Sequence, residues 1–334
     1  MIYSLSKIIS FTVLGLIVAC ASSSSREVDL SDKYATGGKY MRMRLHGTVE
    51  IPNTMNGSHI FGLSGIAWDE DEQRLYIISD RGHLFHFKIN IVEHTLISVT
   101  LMQAYLLKDA NDKPIKHRDS EGLALINGHN NINGDSELLA SFEGVPRIIN
   151  FTSQGKWLKN VELPEILQDR RRYIHTNRML ESVTIHPILG ILTVPEFPLK
   201  ADDQSYRVDG VHKHVIYAMD GKSWRFPAYP APQSGVVSLE ALADGSVLVL
   251  ERAYVSPFHA LIISLRKVWL STCDCAEGFD SQSEQIVVLD NTKGWLLDNF
   301  EGLTQHQGRY FFMVSDNNDN RLQRTLLTYF EILP

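Results

Sequence analysis

Three cysteines in 334 residues, Cys20, Cys273 and Cys275, leave little scope for sulfur chemistry. Cys273 and Cys275 are too few and too close for a zinc site, which takes four ligands at wider spacing. A local disulfide is the expected use of the pair, provided the two Cα atoms fall within about 4.4–6.8 Å. Positive charge is also in deficit, since 32 Lys+Arg face 39 Asp+Glu. That balance excludes sequence-independent nucleic-acid binding, which needs a basic surface to displace counterions. The acidic excess fits cation binding or plain solubility. No helical apolar stripe is sustained over three turns in the body of the chain, except around Leu163 to Arg172. Several catalytic signatures are missing as well. There is no phosphate-binding Gly-rich loop and no His-Glu-x-x-His. Gly62-Leu63-Ser64-Gly65-Ile66 lacks the last glycine of a nucleophile elbow. Asp316-Asn317-Asn318-Asp319-Asn320 opens like an EF-hand loop, but Arg321 takes the glycine place and Leu327 the closing glutamate place. His212-Lys213-His214 supplies only two ligands, which suits a surface pair better than a metal site.

The N-terminus carries an address. Lys7 precedes the apolar run Ile8–Val18, which stops at Ala19-Cys20. A basic start, an apolar stretch of about 7–15 residues and a small residue before the cut describe an export leader. The run is too short to span a bilayer, which takes about 20 residues. Ile17-Val18-Ala19-Cys20 resembles a bacterial lipobox, in which the cysteine is lipidated. The expected organisation is a signal peptide over 1–19, a lipidated Cys20 with a flexible tether over 20–41, and one domain over 42–334. Ala21 is not the aspartate that resembles an inner-membrane retention signal. The expected location is therefore the outer membrane, facing the periplasm or the cell surface.

What fills the mature chain is short apolar strands between Gly, Asn and Asp, such as Arg74-Leu75-Tyr76-Ile77-Ile78 and Leu138-Leu139-Ala140-Ser141. Five segments repeat: Leu63-Ser64-Gly65-Ile66-Ala67, Ser120-Glu121-Gly122-Leu123-Ala124, Leu180-Glu181-Ser182-Val183-Thr184, Leu239-Glu240-Ala241-Leu242-Ala243 and Phe300-Glu301-Gly302-Leu303-Thr304. Their key positions 64, 121, 181, 240 and 301 are 57, 60, 59 and 61 residues apart. A second acid follows each: Asp80, Glu143, Glu196, Glu251 and Asp316. A period near 60 suits a four-stranded sheet, and radial repetition of such sheets is a β-propeller. The expected fold is all-β with five four-stranded blades, though irregular insertions leave room for a sixth. The last unit shows three strands, and Met41–Val49 is expected to complete it and close the ring.

Equivalent positions on the innermost strands of a propeller form a ring. Ser64, Glu121, Glu181, Glu240 and Glu301 are therefore the expected metal ligands. Crowded carboxylates repel unless a cation sits among them or some hold protons. Calcium, with 6–8 oxygen ligands in irregular geometry, is the expected cofactor. The competing reading has each glutamate accept N–H bonds from the next blade as pure scaffold. The second acids have basic neighbours: Asp80-Arg81, Glu143 with Arg147, Glu251-Arg252, Asp316 with Arg321. Arginine beside a carboxylate either holds a phosphate or carboxylate ligand or simply orients a loop. Arg252, Arg81, Glu251, Asp316 and His175 are the candidate catalytic residues, with Arg178 close to Glu181 in sequence.

Val247-Leu248-Val249-Leu250-Glu251-Arg252, Asp298-Asn299-Phe300-Glu301-Gly302-Leu303 and Val314-Ser315-Asp316-Asn317-Asn318 together resemble the phytase-like family. So do Tyr76-Ile77-Ile78-Ser79-Asp80-Arg81, Asp119-Ser120-Glu121-Gly122 and Gln323-Arg324-Thr325-Leu326-Leu327. Asn318-Asp319-Asn320 departs from that family's usual Asn-Phe, and Ile166–Thr176 has no counterpart in it. The resemblance implies a β-propeller and an exported location; the family's description, esterase-like activity of phytase, does not define a substrate. A fainter similarity of pattern is to five-bladed calcium-dependent apyrases, whose blades surround a central calcium. The leading expectation is a calcium-dependent hydrolase of a phosphate ester or related small ester, acting as a monomer. The alternative is a non-catalytic module that binds a ligand or envelope partner on the propeller face.

Overall fold

A computed structural model describes residues 24–205, 212–256, 258–271, 279–320 and 322–334. Cys20, Cys273, Cys275 and Arg321, and with them the leader, the lipidation site and the short disulfide, lie outside the described residues. Five antiparallel sheets follow one another along the chain. Blade one runs from Leu63–Asp69 to Thr95–Leu106, and blade two from Ser120–Ile126 to Trp157–Val161. Blade three spans Leu180–His186 to Ser223–Pro227, and blade four Ser234–Ala241 to Gln282–Asp290. Phe279–Asp280 adds a short parallel fifth strand to the edge of blade three. Blade five takes Asn299–Gln307, Tyr310–Asp316 and Thr325–Ile332 from the end of the chain and Met43–Ile51 from its beginning. The first strands of the blades touch in a closed circle, one to two, two to three, and so on back to one. Among the described residues the ring therefore closes with five blades, and with the closing strand expected.

The sequence builds this by putting apolar side chains on both faces of each strand. In Val247–Leu250, Val247 and Val249 pack against blade three, while Leu248 and Leu250 pack against blade five. Leu138 and Ala140 likewise turn to blade one, and Leu139 to blade three. Strands buried on both faces read as unbroken apolar runs rather than alternating ones. The core is accordingly five separate apolar clusters, one in each seam between neighbouring blades.

The arm before blade one is not the flexible tether expected over 20–41. From Ser25 it is part of the fold. The Ser25 hydroxyl donates to the Val99 carbonyl at 3.1 Å and accepts from the Val99 N–H at 2.9 Å. Arg26–Glu27 pairs with Val49–Glu50, Leu30 is 2% exposed, and Tyr34 stacks on Trp295 at 5.2 Å. The domain thus begins about seventeen residues before Arg42. Leu163–Arg172, the one expected helical stretch, is a single turn at Glu165–Gln168 followed by a 3-10 turn at Arg170–Arg172.

Candidate active site

Each inner strand carries one extra residue against its partner strand near its start. The bulge falls at Ser64-Gly65, Glu121-Gly122, Glu181, Val237 and Glu301 in blades one to five. A bulge re-aims a side chain at a chosen depth, and here it sets one position per blade at the mouth of the channel. The residue after it is small because the next blade comes very close. A Cβ on Gly122 would lie 2.5 Å from the Ser182 Cα, and one on Gly302 would lie 2.4 Å from the Ser64 carbonyl oxygen. Where blades three and four have serine instead, the hydroxyl is used: Ser182 Oγ accepts from Leu239 N–H at 2.7 Å, and Ser238 Oγ from Leu303 N–H at 3.1 Å.

This register corrects the fourth repeat in two places. The ring position is Val237, so Glu240 stands three residues, or about 10 Å, further down the strand. In the second strand, the residue that follows the partner of the pre-bulge position is Asp80, Glu143, Glu196, Arg252 and Asp316 in turn. Arg252, not Glu251, is therefore the fourth blade's member of the second ring. A one-residue slip turns a strand side chain to the opposite face, and Glu251 points into the seam with blade three. There it is 0% exposed, 3.3 Å from His214 Nε2 and 3.5 Å from Arg266 Nη1, and it accepts the Tyr229 N–H at 2.7 Å. Glu251 is thus a structural ion-pair residue rather than a catalytic one. His214, expected at the surface, is its fully buried partner.

At the channel mouth the structure brings together more acid than the repeats suggested. Oxygens of Asp119, Glu121 and Glu143 lie within 4.8 Å of one another, and so do oxygens of Glu143, Glu181 and Glu196. Glu143 belongs to both groups, and one of its oxygens accepts the Met179 N–H at 2.7 Å. Glu181 is 7% exposed, and its Oε2 has no hydrogen-bond partner. Across the channel Glu301 is held by Arg252 and by the Asn299 amide at 2.7 Å, and Arg252 also reaches Glu196 at 3.5 Å. Burial pushes every one of these carboxyls up, and for Asp80, Glu121, Glu143, Glu181, Glu196 and Asp316 neighbouring acids add to it. Asp80 rises to about 6, Glu143 to about 7 and Asp316 to about 8. Glu121 and Glu181 are raised by burial and then by Glu143 beside them. Asp80 fits at the rim because Gly62 has no side chain, since a Cβ there would lie 2.0 Å from its Oδ1.

Ser64, Arg81 and His175 lie apart from this cluster. The Ser64 hydroxyl donates to the Ser120 carbonyl at 2.6 Å, in the seam between blades one and two. Arg81 is exposed and sits over the Phe61 ring at 5.4 Å. His175 is exposed, with its ring edge towards Phe197 at 6.4 Å. Arg178 faces the acids from the rim, 3.4 Å from Glu196. Arg147 is turned away from Glu143, donating to the carbonyls of Lys116, His117 and Val145. Asp119 was not foreseen; it precedes Ser120-Glu121, and its backbone carbonyl accepts the Glu143 N–H at 2.8 Å.

Glu240 plays the scaffold part instead. Its Oε1 accepts the Gln305 N–H of blade five at 2.8 Å, as Thr184 Oγ1 accepts Ala241 N–H and Thr304 Oγ1 accepts Trp68 N–H in other seams. Burial, only partly offset by that bond, raises its carboxyl to about 8. A raised folded value means that the native state holds more protons than the unfolded one. Stability then falls as pH rises from about 4.5 towards 8, by up to about 1.4 kcal/mol per pH unit. Glu240→Gln should remove that slope in urea unfolding at pH 5 to 8, and an unchanged slope would exclude this origin.

The phytase-like family, described as "Esterase-like activity of phytase", matches residues 58–319 of this chain. No curated protein matches it. Among solved structures, the crystal structure of the Myceliophteria thermophila Cps50 (Swd1) β-propeller domain is similar at 10% identity and a TM-score of 0.40, over 93% of this chain and 99% of that one. The family match takes in all five inner-strand bulges and every acid of the channel mouth. By that extent alone, the chain belongs to the phytase-like family.

Proposed function

We propose that the channel mouth is the active site of a calcium-dependent hydrolase acting on a phosphate ester or related small ester. The observation that carries this is Glu181 Oε2, buried and unpartnered among the oxygens of Glu143 and Glu196. A buried carboxylate oxygen without a partner is costly. The donor set around it is carboxylate only, which suits a hard cation such as calcium and not a softer metal. Asp119, Glu121, Glu143, Glu181 and Glu196 would hold the ion. When bound, calcium supplies polarisation of an ester or phosphoryl oxygen. Arg252 keeps Glu301 and Glu196 fixed on the far wall, and Arg178 at the rim offers positive charge to an incoming anion. Glu143, raised to about 7 by burial, would have to give up its proton for the ion to bind. The family description favours an ester substrate. The leader motif supports lipid anchoring at Cys20 and work in the cell envelope.

Metal-stripped protein titrated with calcium by calorimetry should bind with proton release, more tightly as pH rises from 6 to 8. Glu181→Gln should weaken binding at least tenfold, the smallest loss that even outer partners of a metal produce. Nitrophenyl phosphates and acetate should turn over with calcium and not with chelator. A melting temperature indifferent to both, with no bound calcium, would overturn the metal. Calcium binding without turnover of any ester would favour the ligand-binding module, a reading supported by the absence of His175 from the cluster.

A further inference from the structure

One step down the channel from the acids, the inner strands present a second ring: Ala67, Ala124, Thr184, Glu240 and Thr304. Four members are small and neutral, and the fifth is a carboxylate. All five line a cavity of about 700 Å³ that opens at the other end of the ring, where Trp68, Leu125, Ile185 and Leu242 add apolar wall. A pocket of several hundred Å³ with apolar walls and a few fixed polar groups is the ordinary form of a small-molecule site. We infer that this cavity binds a small apolar molecule bearing one protonated amine, with Glu240 as its counter-ion.

The argument is one of charge and geometry. Glu240 spends one oxygen on the Gln305 N–H. No ion pair to Glu240 occurs among the described residues, in contrast to Glu301 and Glu196 at the upper mouth, which share Arg252. Threonine does the same strapping job at two sister positions, so the strap itself does not call for a carboxylate. The surplus oxygen belongs to a half-buried side chain facing mostly apolar walls, where an isolated charge costs more than a paired one. An ammonium on an apolar body satisfies both parts at once. Of the other polar groups at this end, Glu70 already accepts from Trp68 Nε1 and Gln307, the His306 ring bonds Tyr329, and His129 lines the cavity from an exposed position. Burial also lowers the His306 imidazole, which keeps it uncharged beside a cation.

The test is an isosteric series at pH 8.5, where the Glu240 carboxyl is ionised and the amine still protonated: 1-aminoadamantane, 1-hydroxyadamantane and adamantane-1-carboxylate, titrated into the purified protein in chelator by calorimetry. The amine should bind at least tenfold more tightly than the alcohol, and the carboxylate least. Glu240→Gln should bring amine and alcohol within about twofold, with Trp68 fluorescence following the same titrations. Glu181→Gln, which disables the upper site, should leave the amine preference intact, so failure of the cation proposal is read separately. Leu242→Trp, which fills the chamber, should abolish binding and serves if Glu240→Gln does not fold. Equal binding of amine and alcohol, amine preference retained in Glu240→Gln, transfer of the preference to Glu181, or no binding by any member overturns the inference.

Discussion

Glu251→Gln should lower the free energy of unfolding by about 3–5 kcal/mol, the range seen when one partner of a buried ion pair is removed. The carboxylate lies wholly inside the seam between blades three and four, facing His214 and Arg266. Burial alone would raise its carboxyl. The His214 side chain, the Arg266 guanidinium and the Tyr229 N–H outweigh burial and hold it below the usual glutamate range. The amide can still accept from Tyr229, so the loss isolates the charge. Arg266 would be left in an apolar seam over the Phe226 ring, with only the Pro227 carbonyl and Ser283 for company. Adding Arg266→Met to Glu251→Gln should recover part of the loss, because removing both charges leaves nothing uncompensated. Because the folded value is depressed, this stabilisation is complete above the ordinary glutamate range and is lost only as pH falls through the folded value. Urea unfolding of the three proteins at pH 7 and pH 4 measures it. A loss under 1 kcal/mol for the single variant would sink this account of Glu251.

Gly122→Ala should cost about 3 kcal/mol, the upper end of ordinary overpacking. The added methyl would meet the Ser182 Cα and the Val183 nitrogen, both at 2.5 Å, and also the Ser141 hydroxyl at 2.6 Å. Two of those three atoms are backbone of the neighbouring blade, so relief requires the seam to open. Opening it would move Glu181 away from Glu143 and Glu121. If the channel mouth holds calcium as proposed, the variant should lose that stabilisation as well as intrinsic stability. Gly134→Ala is the control: nothing lies within 4 Å of the added atom, and only its φ of +87° opposes it. About 1 kcal/mol is expected there. Equal melting temperatures for Gly122→Ala and Gly134→Ala would mean that the blades yield more easily than their packing indicates.

The blade count and the closing strand could be read from the sequence because both rest on period and strand length, which loops do not disturb. The fourth repeat was misplaced because even spacing was taken as the guide. Leu239-Glu240-Ala241 keeps the interval near 60, but pairing with Ser246–Ala253 puts the bulge at Val237. The usable signal was Val237-Ser238-Leu239, which mirrors Glu181-Ser182-Val183 in its small middle residue. Alternation along Val247–Arg252 carried the second correction, since Glu251 follows Val247 and Val249 into the blade-three seam. Asp119 was beyond reach of the repeats. It depends on the chain path into blade two, which no periodicity encodes.

The side chains of Thr48 and Thr328 meet at 3.0 Å, although 280 residues separate them. The circle is therefore latched by the earliest long strand finding the last. During synthesis, Met43–Ile51 can pair early with Arg26–Glu27 and Lys39–Tyr40, but its long partner Thr325–Ile332 emerges last, so that edge must wait. Once latched, unzipping from either end has to begin in the same sheet. A chain cut anywhere before Thr325 forfeits the latch rather than one fifth of the protein.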